Sequence, residues 1–252
     1  TCALAALALC GCSSVHKIEP TPVRVAVAES LRPAMLDIAK AYEQTQPFVR
    51  LEIISGNALS LQRQMLKKIP ADLAILDGPG LMDELIEKDV VVGKSRVSLL
   101  TNRLIIVTGA GAPATESFID FVEKSDKQIA VGDFEQTVVG QYTQEAFSNM
   151  TGLLEKLQGR MLTCKSSEAV AAAVLGQQAQ VGVVYVSTAK NANELSVLGQ
   201  LPRGVYRAPT YDAGVLRAAP HYSAAWELLT YLRGKQATDI FIRHSLTPVV
   251  DL

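Results

Sequence analysis

The feature that most constrains the fold is a regular alternation of short apolar strands and amphipathic helices from residue 23 onward. Val23, Val25 and Val27 form a β-branched run that is typical of a buried strand. Apolar residues at helical spacing follow from Leu31. The same strand–helix unit repeats twice more, and a second series begins near residue 104. This alternation predicts an α/β protein built on parallel strands.

Hydrophobic periodicity also predicts where the individual elements lie. The predicted strands are 23–27, 48–54, 73–76, 104–108, 128–131, 161–164 and 181–185, with further extended segments at 197–198, 204–207 and 213–218. The predicted helices begin near residues 31, 58, 81, 118, 140 and 168, and 223–233 and 235–243 close the chain.

The first residues have the character of an export signal. Residues 3–9 are an apolar run too short to span a bilayer, and the sequence LCGC follows at 9–12. A leucine three residues before a cysteine that has glycine before it resembles a bacterial lipobox. The resemblance implies cleavage before Cys12 and lipid attachment to its thiol; the alternative is an ordinary signal or a tail. We therefore expect a lipoprotein signal peptide over 1–12 and a polar tether over 13–21.

Charge and composition exclude several classes of function. Lysine plus arginine (24) nearly balance aspartate plus glutamate (25), so no basic surface indicates nucleic acid as a partner. Aromatic residues make up only 6% of the chain, which disfavours surfaces that stack bases or sugars. Cys164 would be the single cysteine beyond the signal, and the histidines are scattered. No metal or haem spacing results, and we expect no cofactor.

Four turns with small or hydroxyl side chains directly precede predicted helices. They are Glu29-Ser30, Gly56-Asn57-Ala58, Val138-Val139-Gly140 and Lys165-Ser166-Ser167. In open α/β sheets ligands bind beyond the carboxyl ends of the strands, where helix N-termini attract anions. The four turns are therefore either ordinary helix caps or parts of one anion site. Considered alone, Ser30 is better explained as a helix N-cap than as a ligand contact.

The sequence predicts no enzyme. It has no Gly-x-Ser-x-Gly elbow, no phosphate loop ending in Lys-Ser/Thr and no His-Glu-x-x-His. Asp72, Asp77 and Asp133 stand at the edges of predicted strands, where a carboxylate could do acid–base work. Such residues more often cap helices or hold loops.

Five short stretches occur in the order found in a known family. They are AESL at 28–31, PADL at 70–73, NRLIIV at 102–107, AVGD at 130–133 and GVVY at 182–185. With them, the chain resembles the periplasmic molybdate-binding proteins of ABC importers, which have the type II periplasmic binding protein fold. The resemblance implies a two-lobed α/β fold with a ligand cleft between the lobes. Lobe 1 would be roughly 22–100 plus 214–252, and lobe 2 roughly 101–213.

The resemblance further implies how a ligand is held. Members of that family bind a tetrahedral oxyanion through hydroxyl groups and main-chain amides. The matching positions here are Ser30, Ala58, Val139, Ser167 and Tyr185. The first and last would supply hydroxyls, and Val139 and Ser167 would supply amides. The family's second ligand serine falls on Ala58, which has no hydroxyl. Either Asn57 or Ser60 supplies the donor instead, or the site has one donor fewer.

Two further departures concern charge. Glu29 stands beside Ser30 where the family often has a small residue, and Asp212 follows Tyr211 where a proline is common. A carboxylate aimed into the cleft would repel an anion. Both departures affect the expected ligand more than the expected fold.

The resemblance implies a lipid-anchored solute-binding protein on the extracytoplasmic (periplasmic) face of a bacterial membrane. It would act as a monomer, capture molybdate or tungstate and deliver the oxyanion to an ABC permease without chemistry. One alternative is a protein of the same fold that binds another anion or a small solute. The other is a surface lipoprotein or an enzyme on the same scaffold.

Overall fold

The computed structural model describes residues 19–109 and 117–249. The expected signal peptide, Cys12 and most of the expected tether lie outside the described residues. Within the described ranges, two β-sheets are surrounded by α-helices. No helix in this part of the chain is long and apolar enough to cross a bilayer.

The elements follow the predicted alternation. The strands are β1 (Thr21–Ala28), β2 (Val49–Gly56), β3 (Leu73–Asp77), β4 (Val97–Thr101), β5 (Leu104–Gly109), β6 (Ile129–Gly132), β7 (Met161–Cys164), β8 (Val181–Tyr185), β9 (Leu195–Gln200), β10 (Thr210–Val215) and β11 (Thr247–Pro248). The α-helices are α1 (Arg32–Thr45), α2 (Ala58–Leu66), α3 (Leu81–Glu87), α4 (Phe118–Lys124), α5 (Val138–Asn149), α6 (Leu153–Lys156), α7 (Ser167–Leu175), α8 (Val186–Lys190), α9 (Tyr222–Leu232) and α10 (Lys235–Arg243).

The first sheet has six strands in the order β11-β4-β10-β3-β1-β2. β1 pairs in parallel with both β2 and β3, and β10 runs antiparallel between β3 and β4. Every residue of β3 is buried, as expected for a parallel strand covered by helices on both faces. The carboxyl ends of β1, β2 and β3 therefore meet at one edge of this sheet.

The second sheet has five strands in the order β7-β6-β8-β5-β9. β6 pairs in parallel with β7 and β8, and β5 runs antiparallel to β8 and β9. The chain passes from the first sheet to the second between β4 and β5, and it returns between β9 and β10. The two sheets confirm the predicted two-lobed α/β fold of type II periplasmic binding proteins.

The position of β10 bears on the expected lobe limits. Residues 210–213 were expected in lobe 2, but β10 pairs with β3 and β4 of the first sheet. On the C-terminal side, the passage between the sheets therefore lies before Thr210. The lobe limits otherwise stay a prediction.

Some elements differ from the sequence prediction. β4 was not predicted, because only Asn102 and Arg103 separate it from β5 and the two strands form one apolar stretch. The segment 204–207 was predicted as extended, and this was wrong. Gly204 has φ +88° in a turn there, and Tyr206 uses its hydroxyl rather than its backbone, accepting a hydrogen bond from the Leu104 N–H at 2.9 Å.

Candidate ligand-binding site

A small cavity lies between the two sheets and is lined by residues from all four turns that the sequence analysis singled out. Its volume is about 30 Å³. One water needs roughly 10–15 Å³ by the same measure, so the cavity admits a group of only a few heavy atoms. The five matched positions, Ser30, Ala58, Val139, Ser167 and Tyr185, all line it. Their placement in one cavity agrees with the expected site, whose individual contacts stay a prediction.

Helix α5 begins at this cavity with unpaired amide groups. The Thr137 side chain caps the helix, since its Oγ1 accepts a hydrogen bond from the Gly140 N–H at 2.9 Å. The cap uses the third amide of the helix and leaves the first two, including that of Val139, without an acceptor among the described residues. The positive end of the helix dipole adds to these donors. The start of α5 therefore favours an anion.

The loop before α5 is held in place by Asp133. Its Oδ1 accepts hydrogen bonds from the N–H groups of Glu135 and Gln136, at 2.9 and 2.8 Å. A Cβ at Gly140 would collide with the Asp133 carbonyl oxygen, so the close approach of helix and loop requires glycine there. Asp133 is thus a loop-holding residue, the more common role for an aspartate at a strand edge.

Helix α7 repeats the arrangement. Ser166 Oγ accepts a hydrogen bond from the Ala169 N–H at 3.1 Å, and the Ser167 N–H has no acceptor in the described part of the chain. The Ser167 Oγ accepts a hydrogen bond from the Tyr185 N–H at 3.0 Å, which ties the helix start to the end of β8. Two helix N-termini from the five-stranded sheet therefore present neutral donors to one point.

Ser30 does not cap a helix. It lies in a 3₁₀ turn, Glu29–Leu31, and helix α1 begins directly after this turn, at Arg32. Neither the 3₁₀ turn nor α1 has a side-chain cap. The Ser30 hydroxyl instead lies 2.8 Å from the hydroxyl of Tyr211, 181 positions away in sequence. The cap interpretation was wrong because the tertiary structure supplies a partner that no local pattern shows.

The direction of that hydrogen bond follows from its neighbours. Asn102 Oδ1 accepts from the Arg103 N–H at 2.9 Å, which fixes the orientation of the Asn102 amide. Its Nδ2 then donates to the Tyr211 hydroxyl at 3.0 Å. Tyr211 is fully buried, so its own proton needs an acceptor, and Ser30 is the acceptor within reach. The proton of Ser30 is left free to point into the cavity.

The turn before α2 contributes less than expected. Asn57 Oδ1 accepts from the Ser60 N–H at 3.2 Å, and its Nδ2 donates to the carbonyl groups of Gln136 and Lys165 at 2.9 and 3.4 Å. The polar atoms of the Asn57 side chain therefore cap α2 and bridge to the loops before α5 and α7. Ser60 is exposed and does not line the cavity. In this structure neither side chain directs a free donor into the cavity beside Ala58, and the donor role of Asn57 or Ser60 stays a prediction.

An aspartate meets the tyrosine across the cavity. Asp77, the last residue of β3, is 4% exposed, and its Oδ2 accepts a hydrogen bond from the Tyr185 hydroxyl at 2.6 Å. Burial raises the pKa of Asp77 to about 6, although the bond from Tyr185 opposes the rise. Burial and the charge of Asp77 raise the pKa of Tyr185 well above its ordinary value. In this structure the Tyr185 proton therefore points to Asp77 rather than to a ligand.

Two further carboxylates line the cavity, Glu29 and Glu168. Glu168 accepts a hydrogen bond from the Thr188 hydroxyl at 3.0 Å, and burial raises its pKa. The described residues contain no group of histidine, cysteine, aspartate and glutamate side chains able to hold a metal ion. Sequence reasoning identified Glu29 but not the role of Asp77, for which the one local indication was its place at the end of a buried strand.

The fold and the cavity define a class of protein, the two-lobed solute-binding proteins that hold a small ligand between their lobes. A family model described as bacterial extracellular solute-binding protein matches residues 23–246, so the chain belongs to that family. Members of this class deliver solutes to ABC transporters, and the family is one of binding proteins rather than enzymes.

Two individual relatives are named as binding proteins, in agreement with this class, and a third is named as an enzyme. The chain is 28% identical to the molybdate-binding protein ModA of Escherichia coli over 233 residues, which cover 89% of the chain and 88% of the relative. The structure is similar to the periplasmic molybdate-binding protein of Azotobacter vinelandii, with a TM-score of 0.80, 16% identity and coverage of 91% and 100%. A relative named aconitate isomerase, from Pseudomonas sp., is 24% identical over 257 residues, with coverage of 99% and 96%.

Proposed function

We propose that the protein captures a tetrahedral oxyanion, molybdate or tungstate, in this cavity for an ABC importer. The observation that carries the proposal is the convergence of two capped helix N-termini on one small cavity, each with unpaired amides. The Ser30 hydroxyl, oriented by Tyr211, adds a third donor from the other sheet. Neutral donors and helix dipoles are well suited to a small anion, because they supply hydrogen bonds without a fixed countercharge.

The relatives narrow the range of expected ligands. The similarity to molybdate-binding proteins extends over most of the chain, and the five matched positions all line the cavity. The missing hydroxyl at Ala58 and the carboxylate of Asp77 on the cavity both disfavour molybdate in particular. A second oxyanion or a small carboxylate is therefore the first alternative, and titration with a panel of anions separates these ligands.

The test is calorimetric titration of the purified protein with molybdate, tungstate, sulfate and phosphate. We expect one site, with molybdate and tungstate binding most tightly. Ser30→Ala should weaken binding by about tenfold or more, the scale of one hydrogen bond to a charged acceptor. Ser60→Ala is the matched control, since this serine lies in the first turn of the neighbouring helix α2 but does not line the cavity, and the affinity of the variant should equal that of the wild type. Failure of both metal oxyanions to bind would contradict the proposal.

A second candidate function rests on Asp77 and Tyr185. A buried carboxylate with a pKa of about 6 that shares a hydrogen bond with a tyrosine could move protons on a bound organic acid. The relative named aconitate isomerase indicates which organic acid to test first. Incubation with aconitate in deuterated water would test it. Exchange of deuterium into the substrate, lost in Asp77→Asn, would favour the enzyme, and its absence would favour the binding protein.

We further propose that the protein acts as a monomer anchored through a lipid on Cys12 and delivers its ligand to a permease. This part rests on the lipobox resemblance. Expression in a bacterial host that modifies lipoproteins should give a protein that partitions into detergent, and Cys12→Ala should release it. A soluble wild-type protein from that host would contradict the anchor.

A further inference from the structure

The lining of the cavity is divided between hydrogen-bond donors and acceptors. The amides of Val139 and Ser167 and the hydroxyl of Ser30 are donors. Asp77 and Tyr185 face them as acceptors, because the single proton of the tyrosine already lies between these two residues. We propose that a divalent oxyanion enters this cavity together with one proton, which Asp77 takes up. This inference rests on the proposed function and makes Asp77 a residue that determines which ligand charge the site accepts.

The first step concerns what a fully ionised oxyanion meets. Such a ligand has only acceptor atoms, so it gains nothing from the Tyr185 oxygen while the tyrosine donates to Asp77. It also meets the ionised Asp77, and because this carboxylate is buried, water screens the repulsion between the two like charges only weakly. Without a further proton, Asp77 and Tyr185 disfavour the same ligand that the donors on the other side of the cavity attract.

One proton removes the conflict. A protonated Asp77 donates to the Tyr185 hydroxyl oxygen over the same 2.6 Å contact, which frees the tyrosine proton to point at the ligand. The chain Asp77 to Tyr185 to ligand then has the same direction as the chain Asn102 to Tyr211 to Ser30 on the neighbouring strand. Only the hydrogen positions change, so no side chain has to move.

The surroundings of Asp77 favour this uptake. Tyr185 on β8, Tyr211 on β10 and Tyr142 on α5 face it, and burial raises the pKa of all three, so the three phenols stay neutral. A phenol has no cationic form here, so none of them offsets the charge of an ionised Asp77. The other ionisable groups on the cavity are Glu29 and Glu168, both negative when ionised.

Positive charge is placed away from this carboxylate. Arg207 lies near Tyr142 but pairs with Glu145. Among the described residues Asp77 has no lysine, arginine or histidine partner. The incoming anion adds further negative charge, which raises the proton affinity of Asp77. A pKa of about 6 in the free protein already agrees with a carboxyl that is ready to take up a proton.

The test is calorimetric titration with molybdate in two buffers of different ionisation enthalpy, at pH values from the Asp77 pKa of about 6 to two units above it. Comparison of the two buffers gives the number of protons taken up with each ligand. We expect a value that approaches one at the highest pH and falls to about one half at the pKa, where half of the free protein already carries the proton on Asp77. The affinity should fall about tenfold for each pH unit above that pKa.

Two variants identify the group that takes up the proton. Asp77→Asn carries a permanent donor to Tyr185, so its affinity should not depend on pH, and two units above the pKa it should bind about a hundredfold more tightly than the wild type. Glu168→Gln is the matched control, because Glu168 is a second, partly buried carboxyl on the same cavity, and this variant should keep the proton uptake.

The outcomes separate this inference from the proposed function. Wild-type binding without proton uptake would overturn the inference and leave the function standing. Uptake that persists in Asp77→Asn and disappears in Glu168→Gln would overturn it as well. If neither the wild type nor Asp77→Asn binds any oxyanion at any of these pH values, the proposed function itself fails.

Discussion

The two ends of β3 each hold a buried aspartate, and the surrounding structure treats the two carboxylates differently. Asp72, just before the strand, is fully buried and accepts hydrogen bonds from the backbone N–H groups of Arg24 and His221, at 2.8 and 2.7 Å. Asp77, at the other end, accepts a hydrogen bond from only one other described residue, through the Tyr185 hydroxyl, beside a contact with its own backbone amide. The Asp72 carboxylate joins β1, β3 and the start of α9. The Asp77 carboxylate faces the cavity, and few hydrogen bonds offset the cost of burying its charge.

This contrast extends along the whole sheet. Ser30, Ala58 and Asp77 follow or end β1, β2 and β3, and all three line the cavity at the carboxyl edge. At the opposite edge the Asp72 carboxylate accepts two backbone hydrogen bonds, and neither Asp72 nor its two partners line the cavity. Residues at the amino edge therefore stabilise the fold, and residues at the carboxyl edge are left partly unsatisfied for a ligand, as in other open α/β sheets.

The largest expected effect is at the amino edge. Asp72→Asn should lower the free energy of unfolding by about 3 kcal/mol, because an amide in place of the carboxylate weakens one charge-assisted hydrogen bond and turns an NH₂ group toward a backbone N–H. Denaturation in urea, followed by circular dichroism, measures this. A change within about 0.5 kcal/mol, typical of a surface site, would remove the contrast between the two ends.

The same substitution at the carboxyl edge should have the opposite sign. Because the pKa of Asp77 is raised to about 6 in the folded protein, from 3.8, its stability contribution is complete below the lower value and is lost as the pH rises through the higher one. Asp77→Asn removes that loss and should raise the free energy of unfolding by about 2–3 kcal/mol above pH 7.

The pH dependence is the control for Asp77→Asn. The difference between variant and wild type should shrink as the pH falls and vanish near the ordinary carboxyl pKa of about 4. A variant that is less stable than the wild type at neutral pH, or equally stabilised at every pH, would mean that the buried charge is not the cause.

A smaller effect is expected where Tyr211 orients Ser30. Tyr211→Phe keeps the ring but removes the hydroxyl that donates to Ser30, so the serine proton is no longer directed into the cavity. We expect molybdate to bind roughly threefold to tenfold more weakly, less than the loss in Ser30→Ala. Combining the two substitutions should add little to Ser30→Ala alone. Fully additive losses would show that Tyr211 acts by another route.

The smallest expected effect is a gain at Ala58. Ala58→Ser places a hydroxyl at the first position of α2, where neither Asn57 nor Ser60 supplies a donor to the cavity. A well-aimed hydrogen bond would raise the affinity for molybdate by up to about tenfold. Titration of Ala58→Ser beside Asn57→Ala checks this. An unchanged serine variant together with weaker binding by the alanine variant would return the donor role to Asn57.

Much of the fold could be predicted from the sequence, because strand and helix periodicity are local. β-branched runs indicated β1 and β8, and a short apolar run indicated β3. Ser166, a hydroxyl residue directly before an apolar helix, indicated the start of α7. The segment 204–207 was misjudged because a glycine with positive φ turns the chain there, and φ cannot be read from composition.

The candidate site, like the fold, has a part that local sequence patterns indicate and a part that they do not. The amide positions at Val139 and Ser167 are set by local helix starts, and sequence patterns could indicate them. The bonds between Ser30 and Tyr211 and between Asp77 and Tyr185 join residues 181 and 108 positions apart. No local pattern contains such pairs, so the direction of the Ser30 proton and the acceptor role of Asp77 became visible only with the fold.

The most direct measurement is a crystal structure of the protein with tungstate, located by the anomalous scattering of tungsten. The proposed function predicts one strong peak in the cavity, with oxygens within hydrogen-bond distance of the Val139 and Ser167 amides and of the Ser30 hydroxyl. A cavity without a peak at saturating tungstate, or a peak only elsewhere on the molecule, would contradict it.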